Sequence, residues 1–183
     1  MMRLNNFIGL SLLGLLIIPV HMWALETAAV GLRIQKTPNL YYENGISFDY
    51  HLADFKKGRV HFGATYTSSR LGSALGSNAL NQDNILLSSS LVFRQDKKLM
   101  PLMGLNLGYF MVDMESDIFS MLPSTSLLLS LEFGIVFPVT DRVSVRPTLG
   151  YNLITGDGIN GPGTLYPIFL NLTTFYHLKG VQR

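Results

Sequence analysis

The chain has 183 residues and carries 14 basic and 12 acidic side chains, so its net charge of +2 is too small for a nucleic-acid-binding surface. Its apolar fraction is 48%, and only 14% of its residues are charged, compared with about 25% in soluble domains. This composition excludes a disordered chain and is atypical of a cytosolic domain. The absence of cysteine excludes disulfide scaffolds, thiol catalysis and cysteine-anchored lipoproteins.

Residues 1–24 are predicted to form a cleaved signal peptide of the Sec type. One basic residue, Arg3, precedes the apolar run of 7–20, and the small residue Ala24 follows it. The run is shorter than the roughly 18 apolar residues expected of a membrane-spanning helix. We therefore expect export of a mature domain of residues 25–183, with an uncleaved N-terminal anchor as the alternative.

Eight segments of the mature chain alternate between apolar and polar residues with a period of two. In one of them Val143 and Val145 alternate with Ser144 and Arg146. Such alternation is typical of β-strands with one apolar and one polar face. Each segment is close to the 9–11 residues that a tilted membrane strand needs. The predicted strands are 28–35, 46–53, 59–67, 84–94, 104–111, 127–137, 142–153 and 166–178.

The spacing of these segments favours a transmembrane barrel over a secreted β-sandwich, which would also alternate. Short links at 54–58, 95–98 and 138–141 alternate with longer links at 36–45, 68–83, 112–126 and 154–165. Short periplasmic turns and long external loops are typical of outer-membrane barrels. An open sheet would leave its edges unpaired in lipid, so the sheet must close. We predict an all-β, eight-stranded, antiparallel up-and-down β-barrel in the cell outer membrane.

Aromatic residues on the apolar face are expected to form two girdles at the membrane interfaces. The rings predicted near the long loops are Tyr66, Tyr109, Tyr151 and Tyr166. The rings predicted near the short turns are Phe62, Phe93, Phe137 and Tyr176.

The polar face predicts a filled lumen rather than an open channel, because eight strands enclose little more than their own side chains. The predicted polar network of the lumen comprises Arg33, Asp49, His51, His61, Glu132 and Arg146. The same alternation, in which every second side chain of a strand faces the interior, places Arg59, Arg94 and His177 inside the barrel. A tight turn at 137–141 would set Glu132 opposite Arg146. The turn at 53–59 would set His51 opposite His61, with Asp49 on a diagonal. Buried charges must be paired, so we expect salt bridges.

Two further readings of the lumen are possible. His51 and His61, with Asp49 nearby, could bind a metal ion, but histidine is also a good hydrogen-bonding filler, and we expect no metal and no cofactor. Four apolar side chains also have inward parity and could line a pocket for an acyl chain, although simple packing of a narrow barrel is the stronger expectation. They are Leu86, Phe110, Leu128 and Phe169.

Two stretches resemble the small outer-membrane β-barrel proteins, a group that includes the opacity proteins and the membrane domain of outer membrane protein A. They are FGIVFPVTDRVSVRPTLGYNLI at 133–154, which contains the phrase RPTLGY, and MGLNLGYF at 103–110. The resemblance implies an eight-stranded barrel that the barrel-assembly machinery inserts. Such chains often finish on an aromatic residue, whereas this one ends in the polar tail 179–183.

Some small barrels of this kind act on lipid A, so an enzyme must be considered. Acyl transfer needs a nucleophile with a base, usually histidine, within reach. The mature histidines, His51, His61 and His177, are all predicted to face inward near the periplasmic end, and the sequence has no G-x-S-x-G motif. We therefore expect no catalytic residues and no enzymatic activity.

The sequence as a whole predicts an integral outer-membrane protein with a structural or surface-interaction role and a plugged polar lumen. Its expected partners are outer-membrane lipid and lipopolysaccharide, with a possible extracellular ligand at the loops 68–83 and 112–126. No nucleic acid is expected. The alternatives are a narrow channel or carrier for a small apolar solute and, less favoured, a lipid A-modifying enzyme.

Overall fold

The computed structural model confirms all eight predicted strands in their predicted order. It describes residues 28–38, 42–72, 78–93, 98–114, 124–155 and 168–178. The strands are β1 (Ala28–Lys36), β2 (Tyr42–Phe55), β3 (Gly58–Gly72), β4 (Asn78–Phe93), β5 (Met100–Met114), β6 (Thr125–Pro138), β7 (Val143–Thr155) and β8 (Ile168–His177). None of the described residues forms a helix that is long and apolar enough to cross a membrane. The predicted signal peptide, Arg94 and Tyr166 lie outside the described residues.

The sheet is a closed antiparallel barrel in which every strand pairs with its neighbours in sequence. The closing contact joins the first strand to the last, from Ala29 opposite His177 to Lys36 opposite Leu170. Closure gives every strand a hydrogen-bonded neighbour on both sides. It removes the free edges that hydrocarbon could not satisfy.

The two ends of the barrel differ in their connections. The strand ends that are connected by 56–57, 94–99 and 139–142 lie at one end, the short-turn end, together with the start of β1 and the end of β8. The strand ends that are connected by 37–41, 73–77, 115–124 and 156–167 lie at the opposite end, the long-loop end. The predicted extents of the loops 36–45 and 68–83 are wrong, because β2 already begins at Tyr42, and β3 and β4 continue through most of 68–83. The longest link is 156–167.

The outer surface of the barrel is apolar along most of its height. Leu32, Leu170 and Leu127 are 69%, 61% and 59% exposed. The described girdle tyrosines Tyr66, Tyr109 and Tyr151 also face outward, toward the long-loop end. Exposed apolar surface costs about 25 cal/mol per Å² in water. A continuous belt of this kind therefore requires lipid around it.

A β-bulge in β2 changes which side chains face the interior near the short-turn end. The pairing with β3 shifts between His51 and Ala53, so Leu52 is the extra residue. Strict alternation would turn Ala53 inward, but beyond the bulge Asp54 takes that side and pairs with Arg59. The Arg59 Nε group donates to Asp54 Oδ1 at 3.0 Å, and His51 Nε2 lies 3.2 Å from the same oxygen.

Inner-face glycines make room for large side chains inside this narrow barrel. A Cβ at Gly150 would lie 2.0 Å from Cζ of Phe169, a ring that is only 2% exposed. A Cβ at Gly104 would meet its nearest neighbour, Ser90, at 3.6 Å, which is ordinary contact. The two glycines share the inner face but differ in the space around them.

Replacing Gly150 with alanine should therefore destabilise the barrel by about 1–3 kcal/mol, the usual cost of overpacking. Adding Phe169→Leu should recover part of this loss, whereas Gly104→Ala should leave the stability nearly unchanged. The measurement is the midpoint of heat-dependent gel migration, supported by urea unfolding in micelles. Equal losses for the two glycine variants would contradict this packing.

Candidate functional site in the barrel lumen

The first polar cluster of the lumen is centred on Asp49 near the short-turn end. Arg146 donates from Nη1 and Nη2 to the two oxygens of Asp49, at 3.0 and 2.7 Å. His61 Nδ1 lies 2.8 Å from Asp49 Oδ2, and the Arg146 guanidinium lies 4.2 Å from the ring centroid of Phe175. Because β2 and β7 are not neighbours in the barrel, this bidentate ion pair spans the lumen.

The second cluster surrounds the buried carboxylate of Glu132, at mid-height in the barrel. Arg33 Nη2 and Asn106 Nδ2 donate to Glu132 Oε1 at 2.6 and 2.8 Å. Thr148 Oγ1 donates to Oε2 at 2.9 Å, and Arg33 Nη2 also donates to Gln35 Oε1 at 2.9 Å. The side chains of Arg33 and Glu132 are 6% and 8% exposed. One carboxylate thus holds side chains from β1, β5 and β7 together.

The third cluster, toward the long-loop end, is centred on Glu43, which the sequence analysis did not identify. Thr67 Oγ1 and Asn84 Nδ2 donate to Glu43 Oε2 at 2.8 and 2.9 Å. Gln82 Nε2 donates to Asn84 Oδ1 at 2.8 Å. Glu43 was missed because 36–45 was predicted to be a loop. The odd-numbered polar positions of β2 continue back to it, and this was the available signal.

The predicted facing pair of Glu132 and Arg146 is wrong. The β6–β7 register places Glu132 opposite Gly150. The chain reverses over 139–142 rather than in a tight turn at 137–141. Within this reversal Thr140 Oγ1 accepts hydrogen bonds from the backbone N–H groups of Arg142 and Val143, at 3.2 and 3.0 Å. Each carboxylate instead pairs with an arginine across the lumen.

The histidines occupy the short-turn half of the lumen. His51 and His61 are cross-strand partners whose ring centroids lie 5.4 Å apart. In the part of the chain that the structure describes, no three histidine, cysteine or acidic side chains are grouped to hold a metal ion. His177 Nε2 lies 2.8 Å from Ser144 Oγ, a contact between neighbouring strands that sequence spacing concealed. Since Ser144 is only 2% exposed, a substrate has no access to its hydroxyl.

Two small cavities lie between these clusters. A cavity of about 50 Å³ lies among Arg33, Asp49, Glu132 and Arg146. A second cavity of about 20 Å³ lies nearer to the long-loop end, between Arg33, Glu43 and Phe169. One water needs about 10–15 Å³, so the cavities hold a few waters. Neither holds an acyl chain, and all four apolar side chains considered for such a pocket are packed in the interior.

Replacing Arg146 with methionine should destabilise the barrel by about 3–5 kcal/mol, because the buried carboxylate of Asp49 loses its countercharge. Adding Asp49→Asn should restore much of the stability. Adding Glu132→Gln should instead be additive, since Glu132 pairs elsewhere. Unfolding of the single and double variants in urea measures both couplings. A strong coupling of Arg146 to Glu132, with none to Asp49, would contradict the observed pairing.

No protein-family model and no curated protein matches the sequence. Several solved structures are similar in fold. Neisserial surface protein A (NspA) is 18% identical with a TM-score of 0.55, over 82% of this chain and 94% of that one. The N-terminal β-barrel domain of Pseudomonas aeruginosa OprF is 13% identical with a TM-score of 0.56, over 84% and 98%. The outer membrane enzyme PagL is 13% identical with a TM-score of 0.50, over 81% and 97%. The chain therefore has the fold of the small eight-stranded outer-membrane β-barrels.

Proposed function

We propose that this protein is an integral outer-membrane barrel with a closed, ion-paired lumen and a structural or surface-interaction role that does not involve catalysis. The observation that carries the proposal is the pair of trans-lumen salt bridges, Asp49–Arg146 and Arg33–Glu132, which cross the interior at two levels. A barrel with its centre occupied in this way presents only its outer wall and its two ends to other molecules.

The placement in the outer membrane is supported by the fold and by the exposed apolar belt. In barrels of this type the short turns lie in the periplasm and the longer loops lie outside the cell. The short-turn end is then periplasmic, and residues 1–24 serve as the signal peptide. The barrel-assembly machinery would insert the exported chain, which contacts outer-membrane lipid and lipopolysaccharide.

A closed lumen is favoured over a narrow channel or carrier because of how the ion pairs are buried. Passage of a solute would separate Arg33 from Glu132, and leaving one buried charge without its partner costs several kcal/mol. The side chain of Arg33 also lines both cavities, so it lies between the two water-sized spaces. An apolar solute would have no means of replacing the hydrogen bonds that it displaced.

The surface role is assigned to the long-loop end, where the wall of the barrel is uneven. Strands β3, β4 and β5 have 15, 16 and 15 residues, whereas β8 and β1 have 10 and 9. Among the described strands, β3 and β4 are therefore among the longest, and Tyr66 Oη donates from one to the other, to Asp83 Oδ1, at 3.0 Å. The hairpin within 68–83 and the neighbouring loop in 112–126 are the proposed contact regions for an extracellular ligand.

The closed lumen is tested by recording currents from the purified protein in planar bilayers. We expect no steady conductance from the natural protein. The double variant Arg33→Ala/Glu132→Ala should show small, measurable currents, because it empties the level between the two cavities. Lys36→Gln, on the outer face, is the matched control and should remain silent. Steady large currents from the natural protein would overturn the closed-lumen proposal.

The surface role is tested by the adhesion of bacteria that express the protein to immobilised extracellular-matrix proteins. Shortening the hairpin tip at 73–77 should abolish the added adhesion, whereas Arg146→Met should preserve it in cells with equal surface levels. Adhesion that depended on the lumen variant and not on the tip would contradict the assignment.

A further inference from the structure

The charges of the barrel are distributed unevenly along its axis. At the short-turn end the described residues include five cations and two carboxylates, a net charge of +3: Lys56, Lys57, Arg59, Lys98 and Arg142 against Asp54 and Asp141. At the long-loop end the described side chains include one cation and three carboxylates, a net charge of −2: Lys36 against Glu43, Asp83 and Asp113. Among the described side chains, the short-turn end is therefore the more basic of the two ends.

The carboxylate nearest to the basic hairpin is already engaged. Asp54 accepts a hydrogen bond from Arg59 at 3.0 Å and lies 3.2 Å from His51. The bulge at Leu52 produces this arrangement by turning Asp54 toward the barrel mouth. Lys56 and Lys57 form the two-residue turn beyond it, and both are exposed.

Large apolar side chains accompany these cations on the outer wall. Phe55, which precedes Lys56, is 43% exposed, and Leu99, which follows Lys98, is 51% exposed. In a membrane protein, exposed rings and aliphatic side chains next to cations mark the level of the lipid head groups, where the apolar part stays in hydrocarbon and the charge reaches water. The basic residues thus lie at the boundary of the lipid and not out in the aqueous phase.

Arg142 fixes the depth of this boundary. Its Nη1 group donates to the hydroxyl oxygen of Tyr176 at 3.2 Å, and Tyr176 faces outward with 48% of its surface exposed. Tyrosines at such positions lie at the head-group level. A guanidinium that is bound to the hydroxyl is therefore within reach of lipid phosphates.

We infer that Lys56, Lys57, Lys98 and Arg142 form a rim that binds the head groups of anionic phospholipids in the adjacent leaflet. The occupant is a lipid phosphate because Arg142 contacts the outward-facing Tyr176, exposed apolar side chains adjoin Lys56 and Lys98 in sequence, and the positive charge is complementary to the phosphate. Juxtamembrane cations are each attracted to an anionic leaflet, and the attraction is screened by salt. This inference rests on the membrane placement proposed above but is independent of the closed lumen.

The test uses the refolded protein in phosphatidylcholine bilayers that contain spin-labelled phosphatidylglycerol or, in parallel, spin-labelled phosphatidylcholine. The natural protein should immobilise phosphatidylglycerol in preference to phosphatidylcholine, and salt should weaken the preference. The variant Lys56→Gln/Lys57→Gln/Lys98→Gln should lower the selectivity by at least about fivefold, which corresponds to about 1 kcal/mol, the typical contribution of one such cation. The single variant Lys56→Gln, at the rim, should reduce the selectivity. The single variant Lys36→Gln, at the long-loop end, is its matched control and should leave the selectivity unchanged.

Equal association of the two lipids, or selectivity that survives in the triple variant, would overturn the inference. So would an equal loss from Lys36→Gln, because the effect would then not belong to the rim. Absence of lipid selectivity together with binding of soluble polyglutamate would assign the rim to an acidic protein partner instead. Failure of the natural protein to insert into any bilayer, shown by the lack of heat-modifiable migration, would overturn the membrane placement as well. That outcome differs from a barrel that inserts without selectivity.

Discussion

The closed ladder of backbone hydrogen bonds is the constraint on which the rest of this molecule depends. In hydrocarbon, each unpaired amide or carbonyl costs several kcal/mol, so the sheet has to return to its own first strand. Once it is closed, successive side chains point alternately to lipid and to the enclosed centre. The apolar belt, the buried clusters and the contrast between the two ends all follow from this alternation.

The number, order and approximate positions of the strands could be predicted because alternation is a property of the sequence itself. The ends of β3 and β4 at the long-loop end of the barrel could not be predicted in the same way. Ser68 and Ser69, and likewise Asn81 and Gln82, are polar on both faces, which is possible only where the strand has left the lipid. Such segments look like loops in sequence, and only their cross-strand register shows that they are paired.

The interior illustrates a second limit of sequence reasoning. Parity identifies which residues face the centre, but it does not identify which of them meet there. Arg33 and Glu132 are 99 residues apart, and Asp49 and Arg146 are 97 apart. Their pairing depends on the curvature of the whole sheet and on the register of the β6–β7 hairpin, which places Glu132 opposite Gly150 rather than Arg146. His51 and His61 are separated by a single short hairpin, so their apposition follows from local geometry.

The three clusters also explain how charged side chains can be buried inside the barrel. Asp49, Glu132 and Glu43 each receive at least two directed hydrogen-bonding partners. A carboxylate with several fixed donors recovers much of the solvation that it gives up. Phe175 adds an aromatic face beneath Arg146, so the barrel combines polar and apolar filling at a single level.

The contact between β1 and β8 has a consequence for how the protein is made. Ala29 and His177 stand near opposite ends of the chain, so the last pairing brings together segments with almost the greatest possible sequence separation. Long-range pairing of this kind makes assembly slow, because loop entropy is lost before the contact forms. Until β8 pairs with β1, the sheet keeps two unpaired strand edges. Loss of the last strand would therefore expose the same kind of unpaired edges as loss of the first.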